Sequence, residues 1–279
     1  MTSPALVLVA HGTRSTRGVE MIAALAEAVA RELGAAAPDF GSSAVDSVAT
    51  SHPETGAGAA FGAASASLRA VGEPDVASGP RVRTAFVDVL GPSPAEVLRD
   101  LNAVPAVVVP AFLASGYHVY QDVPREVAAS AHVAVAVTQA MGPDPALAAV
   151  MRMRLRAAGW RRGDAVVFAA AGSSDPRARQ DVRRAAGLLA EQIAAPVRLA
   201  YIATGEPRVP EMVAEARAAG ARRVFIASYL LAHGLFHERL HTAGADGVAE
   251  PIGVHPAIVR LLVDRYRTAA DTLAAVRVA

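Results

Sequence analysis

Short runs of Val, Ile, Leu and Ala alternate along this chain with longer Ala-rich stretches whose apolar positions recur at helical spacing. Runs near 5–10, 82–88, 105–110 and 132–137 predict four strands, with helices after them near 18–34, 93–101, 119–130 and 145–158. The pattern then begins again. Strands are expected near 164–170, 197–202, 222–227 and 246–249, and helices near 176–194, 208–219, 235–243 and 256–274. Strand and helix in alternation is the signature of a parallel sheet flanked by helices. Short connections favour right-handed crossovers, which put the loops that follow the strands on one edge of the sheet.

The second set of elements is a copy of the first. Val82 to Asp88 matches Val197 to Ala203, and Pro92 and Glu96 match Pro207 and Glu211, all at an offset of 115. Gly142 to Ala146 matches Gly253 to Ala257 at an offset of 111, and Arg154 and Arg156 match Arg265 and Arg267. At the front, Val9 to Thr13 matches Ala169 to Ser173 at an offset of 160, so the first copy carries about 45 additional residues, the difference between 160 and 115. Pro38 to Pro80, rich in Gly, Ala and Ser and without sustained periodicity, accommodates them. A mobile surface excursion is expected there, with a lid over a site as the alternative, and its lone His52 is read as solvated. The expectation is an α/β protein of two tandem similar domains, 1–160 and 161–279, hinged at Gly159 to Gly163, with a site in the cleft between them.

Composition narrows the chemistry. The chain has 279 residues, 53% hydrophobic and 19% charged, enough to bury a substantial core. Lys plus Arg is 27 against 26 for Asp plus Glu, so no overall field favours nucleic acid or an anionic membrane. With Cys at 0, disulfides, thiolate zinc sites and cysteine-ligated iron–sulfur clusters are excluded. No basic leader or membrane-length apolar run is present, and a cytoplasmic location is expected.

Three residues stand where a parallel sheet binds ligands, at strand ends on one rim: His11 after the first strand, Asp88 after the second and His118 in the loop after the third. Neutral imidazoles and a carboxylate suit a divalent first-row metal, and the same set accepts protons near neutral pH. The copy is informative, because His11 is matched by Ala171 and Asp88 by Ala203 while the core pattern persists. One competent site is therefore expected, in the first half. An isolated His at a strand end is more often a cap or a packing group, and Asp88 can equally cap the helix after Gly91-Pro92-Ser93-Pro94. The joint placement of His11 and His118 favours ligation for those two.

Other histidines read differently. His233, His237 and His241 fall at i, i+4 and i+8, which can make a metal face on a helix that starts near Gly234. A solvated helix start is the reading for His241, and His237 is the candidate to line the cleft. His255, before Pro256, is expected to be a helix cap or a turn residue, and His132 to be structural. Gly12-Thr13-Arg14 and Gly172-Ser173-Ser174-Asp175 open helices with small residues, weak anion signatures, and no glycine-rich nucleotide motif accompanies them.

Val9-Ala10-His11-Gly12-Thr13-Arg14-Ser15, then Phe86-Val87-Asp88 with Pro92-Ser93, then Val109 to His118 with Asp122-Val123-Pro124, resemble the sirohydrochlorin chelatases of the CbiX and SirB type, over nearly the whole chain in their two-repeat form. The resemblance implies insertion of Fe²⁺ or Co²⁺ into sirohydrochlorin, towards sirohaem or cobalamin, on a class II chelatase architecture without ATP. It implies no permanent cofactor, the metal being a substrate. By position, His11 becomes the metal-binding proton acceptor and His118 the second metal ligand, while Leu113, Ala114, Ser115, Gly116 and Tyr117 line the tetrapyrrole. Asp88 departs from the family's usual Glu by one methylene. Metallation removes two pyrrole protons and exchanges metal-bound water for ring nitrogens, which requires bases beside a loosely held ion. The substrate's many carboxylates make Arg14 the candidate charge partner, with Arg17 and Arg125 read rather as ordinary surface residues.

Two rivals remain. A histidine phosphatase also opens on a strand-end His-Gly, but it places Arg directly before the His, where this chain has Ala10. A non-catalytic carrier of metal or tetrapyrrole shares the same ligands. The expected partners are thus an anionic tetrapyrrole and a divalent metal, with no nucleic acid or membrane, in a monomer or homodimer.

Overall fold

A computed structural model describes residues 3–38, 79–88 and 90–278. The excursion expected over 38–80 lies almost wholly outside the described residues, as does His52. The first half builds β1 (Ala5–His11), α1 (Thr16–Glu32), β2 (Val82–Val87), α2 (Pro94–Leu101), β3 (Ala106–Pro110), a π-helical turn (His118–Asp122), α3 (Val123–Ser130), β4 (Val135–Val137) and α4 (Pro145–Ala157). The second builds β5 (Ala165–Gly172), α5 (Pro176–Ile193), β6 (Val197–Thr204), α6 (Val209–Ala218), β7 (Val224–Tyr229), α7 (Leu235–Leu240), β8 (Gly247–Val248) and α8 (Pro256–Val278).

Each half is one four-stranded parallel sheet, ordered β2-β1-β3-β4 and β6-β5-β7-β8. The central strands read as unbroken apolar runs because both faces are covered. In β1, Leu6 and Leu8 enter the core on one face while Ala5, Val7 and Val9 enter the core on the other. All of Ala5 to Ala10 is within 1% of full burial, and polarity returns only at His11.

Helix ends follow local chemistry. Ser15 caps α1 by accepting from the Gly18 amide, and Ser93 caps α2 in a reciprocal pair with Glu96. Asp144 and Asp175 cap α4 and α5 ahead of Pro145 and Pro176. His255 caps α8 as expected, its Nδ1 accepting from the Ala257 amide at 3.1 Å.

The packing of the last helix of each half is the main feature the sequence did not indicate. α8 leaves its own sheet and packs on β3, β4 and α1 of the first half, while α4 packs on β7 and α5 of the second. The Tyr266 hydroxyl donates to the Pro4 carbonyl at 2.6 Å, and Arg154 donates to the Ile252 carbonyl at 3.3 Å. One continuous core runs from Leu6 and Leu8 through Leu25, Leu147 and Leu262 to Phe168 and Phe225. The outer faces of the two sheets keep separate cores under α2 with α3 and under α6.

Candidate functional site

At the carboxyl ends of β1 and β3 the backbone leaves the sheet in opposite directions, and the crevice between them holds His11 and His118. Their rings meet edge to face, centroids 4.9 Å apart and planes at 87°. Two imidazole nitrogens on one ion lie no more than ~4.2 Å apart, given bonds of ~2.1 Å, so this approach allows a shared cation. Both rings are half-exposed, with side chains at 49% for His11 and 35% for His118.

The orientation of each ring is set by an acceptor at Nδ1. His11 Nδ1 donates to the Gly12 carbonyl at 2.8 Å, and His118 Nδ1 donates to Asp122 Oδ2 at 2.7 Å. Carbonyl and carboxylate oxygens only accept, so each bond requires a proton on Nδ1; in the neutral ring the lone pair then lies at Nε2. Phe112 stacks on His118 at 5.9 Å and 15°, and the Tyr117 ring stands edge-on at 6.2 Å.

Asp88 follows β2 at φ 66°, a left-handed position that Asp tolerates better than most residues. Its Oδ2 lies 3.9 Å from His11 Nε2. The helix cap that was the alternative for Asp88 belongs to Ser93. An open pocket of about 380 Å³ beside this cluster is lined by Phe86, Asp88, Leu90, His118, Asp122 and Arg125. Among the described residues no group of three or more His, Cys, Asp or Glu is gathered closely enough to hold an ion. The site is therefore two imidazoles, each with one carboxylate beside it: Asp88 3.9 Å from His11 Nε2, and Asp122 at His118 Nδ1.

The segment Leu113 to Tyr117 is held by the second half. The buried Tyr229 hydroxyl, its pKa raised by desolvation, donates to the Leu113 carbonyl at 2.6 Å, and the Ser115 amide donates to Asp181 Oδ2 at 2.8 Å. A Cβ on Gly116 would sit 3.2 Å from the Ala178 methyl. Leu113, Ser115 and Gly116 thus use these groups between the halves, whereas the Tyr117 ring stands out, 58% exposed. Beside it Tyr120 carries the Arg177 guanidinium 3.9 Å over its ring. Ala114 is half-buried and Arg14 exposed. Arg125 pairs with Asp122 Oδ1 at 2.9 Å, and Arg17 approaches His233 Nε2 at 3.4 Å.

His237 does not line the cleft. It is 4% exposed, and its Nε2 donates to the Ala249 carbonyl at 3.1 Å inside the second half. Desolvation by that burial holds its pKa below the usual imidazole value. His233, His237 and His241 stack edge to face at 5.1 and 5.0 Å, and His233 precedes α7, with Nε2 3.1 Å from Glu250. Desolvation, then Arg17, lowers the His233 pKa as well. His132 Nδ1 accepts the Ala134 amide at 3.2 Å, a local turn as expected. The residue that sequence reasoning missed is Asp122; the i, i+4 spacing from His118 was its visible signal.

The CbiX family model matches residues 61–158 and 165–269, one match in each half. Asp88 and His118 fall inside the first match and His11 precedes it. No curated protein matches the sequence. Among solved structures, SirB from Bacillus subtilis with Fe³⁺ is 21% identical at TM-score 0.69, covering 96% of each chain. The sirohydrochlorin chelatase SirB from Bacillus subtilis subspecies spizizenii in complex with cobalt is 20% identical at TM-score 0.66, covering 96% of this chain and 95% of that one. CbiX, described as the terminal enzyme for biosynthesis of sirohaem in denitrifying bacteria, is 21% identical at TM-score 0.60, covering 95% of this chain and 99% of that one. At these identities the likeness is one of fold: two parallel sheets, each flanked by helices.

Proposed function

The chain belongs to the CbiX family, and from that premise we propose that it is a sirohydrochlorin chelatase, inserting Fe²⁺ or Co²⁺ into the tetrapyrrole without ATP. The observation that carries this reading is the edge-to-face approach of His11 and His118, with both Nδ1–H groups tied back and both Nε2 atoms left to serve as ligand or base.

The chemistry follows from what these atoms can do. An incoming divalent cation, a substrate, is received at Nε2 of His11 and His118. Two protein ligands leave most of its coordination positions to water, which the ring nitrogens then displace. Metallation releases two pyrrole protons, and imidazole with a nearby carboxylate accepts protons at neutral pH. Once the cation has passed to the ring nitrogens, the freed Nε2 of His11 can take one of these protons, and Asp88, 3.9 Å away, supports the resulting imidazolium. The exposed ring of Tyr117 offers the macrocycle a flat apolar surface, and the exposed Arg14 is the candidate donor to its carboxylates. The first half, about 1–160, supplies the reacting groups, and the second, 161–279, holds the loop that leads to His118.

Anaerobic protein with sirohydrochlorin and either Fe²⁺ or Co²⁺ tests the proposal through the absorption change of the pigment. Many turnovers per chain are expected. One equivalent of product per chain, or none, overturns chelatase activity, and a single stoichiometric change identifies a carrier.

A further inference from the structure

His118 is held by a buried carboxylate, which an exposed arginine flanks. Its Nδ1 donates to Asp122 Oδ2 at 2.7 Å, and Asp122 Oδ1 forms an ion pair with Arg125 Nη2 at 2.9 Å. Asp122 is only 8% exposed, so little solvent competes for its oxygens. The backbone geometry is specific too. A single π-helical turn from His118 to Asp122 joins the β3 loop to α3, and Phe112 stacks on the imidazole from the side. His11, by contrast, is oriented by a backbone carbonyl, which no side-chain substitution removes.

We propose that Asp122 is a positioning residue for metal transfer: it holds His118 as the Nδ1–H tautomer with Nε2 presented to the incoming cation, and Arg125 holds Asp122 in place. A carboxylate behind an imidazole ligand fixes its tautomer and its orientation. The inference rests on the chelatase reading only in taking a divalent cation as what His118 receives.

Asp122→Asn is the discriminating variant because it keeps the shape and reverses the polarity. A guanidinium has donors only, so Arg125 retains the amide oxygen and turns the NH₂ towards His118. A donor at that place requires a bare Nδ1, which moves the proton to Nε2 and blocks the cation-facing nitrogen. Two-bond ¹H–¹⁵N spectra of the metal-free protein read the tautomer directly. Nδ1–H is expected in the wild type and Nε2–H in Asp122→Asn. Co²⁺ titration without tetrapyrrole is expected to show ~10–100-fold weaker binding in the variant. Asp122→Ala, which places no group at Nδ1, provides a second fold-checked variant, with a mixed tautomer and intermediate affinity expected.

If His118 keeps its proton on Nδ1 in both variants, or if Co²⁺ binding is unchanged after the tautomer moves, the positioning role is overturned. The reading beneath it fails separately. His118→Ala binding Co²⁺ as tightly as the wild type removes the metal role of His118 itself, whereas loss of binding in His118→Ala with none in Asp122→Asn sinks only the inference about Asp122.

Discussion

Single residues carry the chemistry. His11 leaves a strand that is otherwise fully buried, so its side chain contributes little to the core. His11→Ala is therefore expected to lower metallation by at least ~10²-fold, the low end for loss of a general base, while the thermal melt stays near that of the wild type. Turnover that survives the substitution removes His11 from the proposed role. His237 has the opposite character, buried and bonded to Ala249. Its pKa lies below the ordinary 6.5, desolvation being the largest cause, with His233 and His241 opposing its charge and Glu250 favouring it. Between the folded and unfolded pKa values the unfolded chain binds more protons, so the stabilisation is complete above about 6.5 and is lost as pH falls through the folded value. Urea midpoints at pH 7.5 and 5.5 are expected to separate in the wild type and to draw together in His237→Gln; equal separation in both contradicts the assignment. At this scale the strand-end histidines were legible because hydrophobicity stops abruptly before them. Asp122 and His237 were not, because a carboxylate or imidazole at helical spacing looks the same whether it faces solvent, a neighbouring ring or a buried carbonyl.

At the scale of elements, most limits follow from local signals: caps at Ser15, Ser93, Asp144 and Asp175, and prolines just inside the helices that follow the last three. Two departures have physical causes. The helix expected over 119–130 opens with the π-helical turn at His118, and the strand expected over 132–137 is reduced to Val135–Val137 because His132 folds back on the Ala134 amide. α1 carries a glycine whose reason lies in the other half. A Cβ on Gly18 would stand 2.5 Å from the His233 carbonyl oxygen and 2.6 Å from Thr13 Cγ2. Gly→Ala inside a helix ordinarily gains ~0.5–1 kcal/mol. Here backbone from the second half occupies the space, and Gly18→Ala is expected to cost ~1–3 kcal/mol instead, the range for overpacking. A raised denaturation midpoint shows that the contact yields without cost.

The whole molecule is two copies that exchange their last helices. α8 covers the first sheet and α4 the second, and their apolar faces meet in the one core that spans both. The fragment 1–160, which has the complete first sheet but lacks α8, is expected to show no cooperative melt alone and to regain one when mixed with 161–279. An independent transition in 1–160 means that the exchanged helix is dispensable. The same exchange bears on the candidate site. Tyr229 and Asp181 hold the Leu113 and Ser115 backbone next to His118, so the second half positions a loop of the first. Tyr229→Phe, which deletes only the hydroxyl, is expected to cost ~1–3 kcal/mol for the acceptor left unpaired and to slow metallation with His11 intact. Unchanged stability and rate together assign that contact no part in holding the loop.

Periodicity and repetition were enough for the α/β class, the duplication, the order of the elements and the rim where His11, Asp88 and His118 end their strands, because strand burial and helix amphipathicity are written locally in the spacing of apolar residues. The pairing of sheets with helices was decided only in three dimensions. An amphipathic face states that it must be covered, not by what, and α8 is covered by the first sheet. The tautomers of His11 and His118 were likewise settled only by folding, since they depend on which oxygen arrives at Nδ1, Gly12 in one case and Asp122 in the other.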